Sequence, residues 1–441
     1  MTPDIILFHC HDLGRWLPTY GMPSVPAPQI AAFADRSVVF DDAHAAAPLC
    51  SPSRGALFTG MPPYRNGIQG LAHDGWRYRA GVSTLPERLE SLGYHTALIG
   101  LQHENVDPTV LGFAECPGQG FLPRTHQVVD ATSAWLSGLA PREERKPIFL
   151  TVGVWEVHRP WPRSDYVSAD PAEVDVPGFL PDNDDTRADI ADFYGAIAQL
   201  DAGFATLLDV ISSTIGDENT MIVFTTDHGA AFPRAKSTLY EAGTGVALMV
   251  RPPTGWQVAP HRVSELVIHQ DLLPTLLEIA GDAGPHDAEL EGRSILPLIR
   301  NTPEEEPAPE RMVFTSKTYH DSYDPKRAVR TSDYVYIRNY AEGPSLELPA
   351  DLEASRTRRG LGDRHLAPRP REELYDRRAD PHELHDVAGQ DAYADVRNKL
   401  AGVLHDRLVA IGDPVETEPI PRAPQRSRHV DDLPGLDLPA R

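Results

Sequence analysis

Cysteine is scarce in this chain. Only Cys10, Cys50 and Cys116 occur in 441 residues, too few for a disulfide framework. Positive charge is also in deficit. Lys and Arg number 41 against 64 Asp and Glu, a formal net charge of −23, which argues against nucleic acid or an anionic membrane as a partner. The N-terminal stretch has no basic segment followed by a signal-type apolar run, and no apolar run is long enough to span a bilayer, so a cytoplasmic location is expected. No internal repeat is found.

What is present is enough for a large core: 41% of residues are hydrophobic. Strand-like runs at Ile5–Cys10, Tyr94–Ile99, Pro147–Val154, Thr220–Thr225 and Val246–Val250 alternate with helical patterns, which argues an α/β fold. Short helices are expected at Pro28–Arg36 and Pro52–Thr59. Another is expected at Thr84–Leu92, opened by a Thr84–Glu87 capping box and stopped by Gly93. Residues 185–213 carry Ile190, Phe193, Ile197, Leu200, Phe204, Leu207 and Ile211 at helical spacing. A further helix is expected at Asp271–Ala280, stopped by Gly281.

Residues 302–311, acidic and rich in proline, read as a linker. The expected units are then 1–310 (catalytic), 311–412 (a smaller α+β unit) and 413–441 (a proline-rich tail). In the second unit, strands are expected at Met312–Thr315, Arg327–Arg330 and Tyr334–Tyr340, followed by a helix near Asp391–Ile411. The polar, arginine-rich stretch 341–372 reads as a long surface insertion, and the tail as a disordered segment or an arm on a neighbour.

The most informative segment is Cys50–Gly60, CSPSRGALFTG. Pro52 suits a first helical turn and Gly60 a helix end. Residue 50 then lies at a helix N-terminus, which favours an anion, with Arg54 one turn on along the same face. A buried structural cysteine before a helix is the plainer alternative. Elsewhere, polar residues follow strand-like runs directly: Asp12, His103, His158, Asp227 and His228. In an open α/β sheet ligands bind at the carboxyl ends of strands, so all five are expected beside residue 50. Asp12, Asp227 and His228 suit a divalent cation, and His103 and His158 suit proton transfer or anion binding. Lys236 is placed to anchor an anion. His9, His44, His95, His126, His261 and His269 show no partner pattern and read as structural.

Cys50-Ser51-Pro52-Ser53-Arg54 resembles the active-site motif of the type I sulfatases, in which the cysteine is oxidised by a formylglycine-generating enzyme. Asp12-Leu13-Gly14, Gly100-Leu101-Gln102-His103, Val157-His158-Arg159-Pro160 and Asp227-His228-Gly229 resemble other family motifs. So do Glu373-Leu374-Tyr375-Asp376 and Asp380-Pro381-His382-Glu383 near the end. Three further runs, Asn66–Leu71, Phe232-Pro233 with Lys236, and Tyr323–Val329, resemble the heparan N-sulfatase branch.

The resemblance covers about residues 3–390. It implies an alkaline-phosphatase-like sandwich: a large, mostly parallel sheet between helices, plus a smaller C-terminal domain with an antiparallel sheet. It also implies formylglycine at Cys50 as nucleophile, Arg54 beside it, and His103, His158 and Lys236 on the sulfate and leaving group. A metal is expected at Asp12, Asp227, His228, residue 50 and His11, with His73, Asp74 and His320 touching the substrate. Ca²⁺, the family's usual ion, is the first expectation.

Three residues depart from the pattern: His11 for the first Asp of an Asp-Asp pair, His228 where many members have Asn, and Leu101 for Lys. The imidazoles bring Mn²⁺ or Zn²⁺ into consideration. The expected reaction is hydrolysis of a sulfate ester or sulfamate of a small molecule, a sulfated sugar first. Self-association is left open. The alternatives are a phosphonate monoester or phosphodiester hydrolase and a non-catalytic binding protein.

Overall fold

A computed structural model describes residues 2–117, 123–282, 284, 290–302 and 310–423. Seven strands form the main sheet: β1 (Asp4–Cys10), β2 (Val38–His44), β3 (His95–Gly100), β4 (Ile148–Gly153), β5 (Thr220–Thr226), β6 (Leu248–Arg251) and β7 (His261–Ile268). Their order is β3-β4-β1-β5-β6-β2-β7, and only the two pairings of β6 are antiparallel. β1 is buried along its whole length. Its alternation sends Ile6 and Phe8 into one core layer and Ile5 and Leu7 into the other.

Helices cover both faces. The helix Asp184–Thr214 lies on the Ile6 side, with all seven of the expected apolar residues from Ile190 to Ile211 fully buried. It is long and apolar enough to cross a membrane by composition alone, but its apolar stripe is spent on this core. The helices Cys50–Thr59 and Leu272–Ile279 and the segment around Leu85 and Leu89 pack on the Ile5 side.

A second sheet, β11-β10-β9-β8, is antiparallel throughout: β8 (Val313–Tyr319), β9 (Tyr323–Arg330), β10 (Tyr334–Asn339) and β11 (Glu372–Asp376). The helix Ala394–Ile411 covers it through Leu400, Leu404 and Leu408. This is the mixed sandwich with an antiparallel annex that the family resemblance implies.

Two expectations fail. Residues 341–372 are not merely a surface insertion: the short helices Ala350–Glu353 and Arg356–Leu361 bury Leu352 and Thr357. Thr357 donates to Asp189 on the long core helix at 2.7 Å. The composition hides this, because the few buried side chains are spaced among exposed arginines. The beginning of the tail is also packed rather than free. Val415 and Ile420 are buried, and Tyr319 donates to the Ile420 carbonyl at 2.7 Å. Residues 303–309 of the linker and 424–441 of the tail lie outside the described residues.

Candidate active site

Register brings the site together. His9 pairs with Gly153 and Cys10 with Thr226, while Gly153 also pairs with Gly100. β1, β3, β4 and β5 therefore end level, and the next residues of each, 11–12, 101–103, 154–158 and 227–228, meet at one edge. β2 ends at the same edge and leads through Ala45–Leu49 into the helix Cys50–Thr59, whose first residue is Cys50. Gly153 is required here: a Cβ on it would lie 2.4 Å from the His9 ring and 2.0 Å from the Leu101 carbonyl oxygen.

Strain marks the same residues. Asp12 and His103 hold left-handed φ values of 51° and 59°, and Arg234 and Ser237, flanking Lys236, hold 65° and 71°. Non-glycine residues adopt such angles at a cost of about 1–3 kcal/mol, and the surroundings must impose it. At Asp12 they do: its N–H donates to Asp227 Oδ1 at 2.9 Å, and the Leu13 N–H to Thr226 Oγ1 at 3.2 Å.

At the bottom lies a buried cluster of His11, Asp12, Cys50, Asp227 and His228, whose ligand-type atoms all fall within 4.8 Å of one another. His228 Nδ1 donates to the Gly229 carbonyl at 2.9 Å, so the neutral ring turns a lone pair at Nε2 toward the cluster. That lone pair faces Asp12 Oδ1 at 3.1 Å and Cys50 Sγ at 3.4 Å. Burial lowers the His228 pKa, which keeps the ring neutral. Acceptors thus face acceptors, an arrangement that a divalent cation between them satisfies. His11 Nδ1 lies 2.9 Å from Asp12 Oδ1 and 3.0 Å from Asp227 Oδ2, so it also belongs to the donor set. Two carboxylates, two imidazoles and the residue-50 side chain fit a metal ion, with more nitrogen than an all-oxygen Ca²⁺ cage.

Cations frame this cluster. Arg54 donates to Asp227 Oδ2 at 3.1 Å and to His9 Nδ1 at 2.6 Å. Lys236 Nζ donates to Asp12 Oδ2 at 2.8 Å, Asp351 Oδ2 at 2.8 Å and His158 Nε2 at 3.2 Å. Burial alone would raise the Asp12 carboxyl. The Lys236 ammonium outweighs it and holds Asp12 well below the usual carboxylate range. Burial, and then the Lys236 charge, push His158 down to about 3. His158 therefore accepts a hydrogen bond from Lys236 at rest. The Cys50 thiol is pushed well up, chiefly by burial, so as a thiol it is a weak nucleophile.

His103 stacks on His73, with rings 5.4 Å apart and 3° from parallel, and their nitrogens lie 3.2 Å apart. Asp74 and His320 do not reach the cluster. They line an adjoining cleft of about 230 Å³ with Trp76, Tyr319, Asp321 and Arg422.

Three residues escape sequence reasoning. His9, set aside as structural, bonds Arg54, and the two-residue period of β1 that puts it on the same face as His11 is a signal that was available. His269, also set aside, accepts or donates at 2.9 Å with Thr225 beneath the site. Asp351 arrives from the 341–372 segment with no local motif to announce it. Leu101 is buried at 1% exposure and brings no charge to the site.

The family model described as Sulfatase matches residues 12–282. Human N-sulphoglucosamine sulphohydrolase is 28% identical, over 92% of this chain and 89% of its own. An ulvan-active sulfatase of Formosa agariphila is also 28% identical, over 93% and 81%. Among solved structures, a protein in complex with its substrate D-glucosamine-2-N,6-O-disulfate superposes with a TM-score of 0.72 at 18% identity, covering 95% of this chain and all of that one. The phosphonate monoester hydrolase of Agrobacterium radiobacter gives 0.70 at 18% identity, covering 94% and 96%. With well over half its length inside the family model and its fold shared along nearly all the rest, the chain belongs to the sulfatase family.

Proposed function

We propose that the protein is a metal-dependent sulfohydrolase that cleaves a sulfate ester or sulfamate of a small sugar, using formylglycine made from Cys50 by a maturing enzyme. The observation that carries this reading is the position of residue 50. It opens a buried helix, its Sγ lies 3.4 Å from His228 Nε2 and 3.9 Å from His11 Nδ1, and Lys236 and Arg54 flank it. The 28% identity to a human N-sulphoglucosamine sulphohydrolase supports a sulfated amino sugar as the substrate class.

In this reading the hydrated aldehyde at residue 50 attacks sulfur through one hydroxyl, and the leaving group departs with a proton. The second hydroxyl then collapses to the aldehyde and sulfate is expelled by carbon–oxygen cleavage. His11, Asp12, Asp227 and His228 would hold a divalent ion, with Mn²⁺ or Zn²⁺ favoured over Ca²⁺ by the imidazoles. Such an ion would supply polarisation of the sulfate and a lowered pKa for the attacking hydroxyl. Arg54 steadies the alkoxide, and His103 and Lys236 bind sulfate oxygens. His158, whose Nε2 lies 3.2 Å from Lys236 Nζ, stands on the leaving-group side: the bound sulfate offsets the Lys236 charge that depresses the ring, which takes up a proton from solvent and hands it to the leaving atom.

A phosphonate monoester or phosphodiester activity is the second reading. It is favoured by the neutral Leu101 and by the shared fold of a phosphonate monoester hydrolase. Matured enzyme, assayed with 4-nitrophenyl sulfate and with the 4-nitrophenyl monoester of phenylphosphonate, separates the two. The proposal expects the higher kcat/KM for sulfate, and a phosphonate preference replaces it by the second reading. A binding protein on this fold would keep Cys50 as a thiol and turn over neither.

A further inference from the structure

Asp351 is the carboxylate at the centre that the proposed chemistry does not use. Lys236 lies between two carboxylates at equal distances of 2.8 Å. The inner one, Asp12, is fully buried, whereas the Asp351 side chain is 23% exposed. Asp351 is therefore the outer end of the charged chain that leads to residue 50. Burial alone would raise its carboxyl, but the Lys236 ammonium outweighs this and keeps it an anion. An anion at the mouth of a site for an anionic ester repels the substrate unless it meets a donor on that same substrate.

The residue is held in place. The Ala350 N–H donates to Asp321 Oδ2 at 2.7 Å, Leu352 is fully buried, and Thr357 bonds Asp189. Asp321 is shared with the adjoining cleft, where the Trp76 and Tyr319 rings stand 5.3 Å apart. That cleft, about 230 Å³, matches a single ring, with aromatic faces for its apolar side and carboxylates for its donors.

We propose that Asp351 determines specificity by accepting a hydrogen bond from a hydroxyl or ammonium on the carbon next to the one that bears the sulfate, with the ring lying toward Trp76 and Tyr319. The inference rests on the sulfohydrolase reading and names a feature of its leaving group. It selects polyol and aminosugar sulfates over plain alkyl or aryl sulfates.

The test is calorimetric titration of the Cys50 thiol form, which binds without turnover, with cyclohexyl sulfate, trans-2-hydroxycyclohexyl sulfate and trans-2-aminocyclohexyl sulfate. Wild type is expected to bind the hydroxy and amino probes about tenfold more tightly than cyclohexyl sulfate, as a hydrogen bond to a charged group implies. Asp351→Ala brings all three within about twofold and binds cyclohexyl sulfate more tightly than wild type does, because the repulsion is gone. The isosteric Asp351→Asn controls for folding and retains part of the hydroxyl preference while losing the ammonium preference. Equal wild-type affinities, no binding of any probe, or a preference unchanged in Asp351→Ala overturns the proposal. Sulfate release from trans-2-hydroxycyclohexyl sulfate and from glucosamine N-sulfate by matured wild type reports separately on the sulfohydrolase reading. Turnover without the binding preference sinks only the role of Asp351. The preference without turnover sinks only the reaction.

Discussion

Lys236 and Arg54 show how single charges are made to work at this centre. Each is buried and bonded to an aspartate of the donor set: Lys236 to Asp12, Arg54 to Asp227. Lys236→Ala removes the charge that would meet the sulfate, so kcat/KM should fall by about a hundredfold or more in a sulfate-release assay. Asp227→Ala should lower the divalent-metal content of the purified protein. It also leaves Arg54 without its carboxylate, at a cost of about 3 kcal/mol in denaturant unfolding. His11→Ala tests the nitrogen-rich donor set: metal analysis should show less Mn²⁺ or Zn²⁺ bound, and unchanged content would remove His11 from the site. At this scale the sequence was legible wherever a residue followed a strand directly, as Asp12, His158 and Asp227 do. Asp351 was not legible, because its approach depends on how a 32-residue polar stretch folds back, and nothing local encodes that.

The segment around Asp351 is an element whose anchor can be broken separately. Arg159 forks Asp189 at 2.9 and 2.7 Å, and Thr357 adds a bond to the same carboxylate. Burial alone would raise the Asp189 carboxyl, but Arg159 and Thr357 outweigh it and depress it below its ordinary value of 3.8. A depressed carboxyl contributes stability above its unfolded pKa and loses it as pH falls through its folded one. Asp189→Ala should therefore cost about 3 kcal/mol near pH 7, and the gap to wild type should narrow as pH falls below about 4. Urea unfolding at several pH values checks both. The strands of the main sheet were legible as apolar runs. β2 and β7 were missed, because exposed or charged residues interrupt them, Asp41 and Asp42 in one and Arg262, Ser264 and Glu265 in the other.

Across the whole molecule, the two sheets are joined by a buried ion-pair network. Arg330 on β9 donates to Glu383 at 2.7 Å and to Glu241 of the main body at 2.9 Å, and Arg377, just past β11, reaches Asp42 on β2 at 2.6 Å. Arg330 is 1% exposed, so Arg330→Ala leaves the buried Glu383 without its arginine and the part-buried Glu241 with one fewer, and should cost about 3 kcal/mol. Calorimetric unfolding should show the loss. The hairpin β8–β9, which carries Tyr319 and His320, is also tied to the main body where the Ser316 N–H donates to the Ala46 carbonyl at 2.9 Å and the Tyr319 N–H to the Gln69 carbonyl at 3.0 Å. A cleft between the 74–76 segment and the end of β8 could be anticipated only from family likeness, since its two walls are more than 200 residues apart in the chain.

The central claim is that residue 50 does not work as cysteine. Peptide mass spectrometry of the Cys50 segment, from protein co-expressed with a formylglycine-generating enzyme, tests it most directly. The account predicts a peptide lighter than the encoded one by the difference between a mercaptomethyl and a formyl group, accompanied by its hydrate one water heavier. An unaltered thiol in every Cys50 peptide, under conditions where a control sulfatase is fully converted, would contradict it.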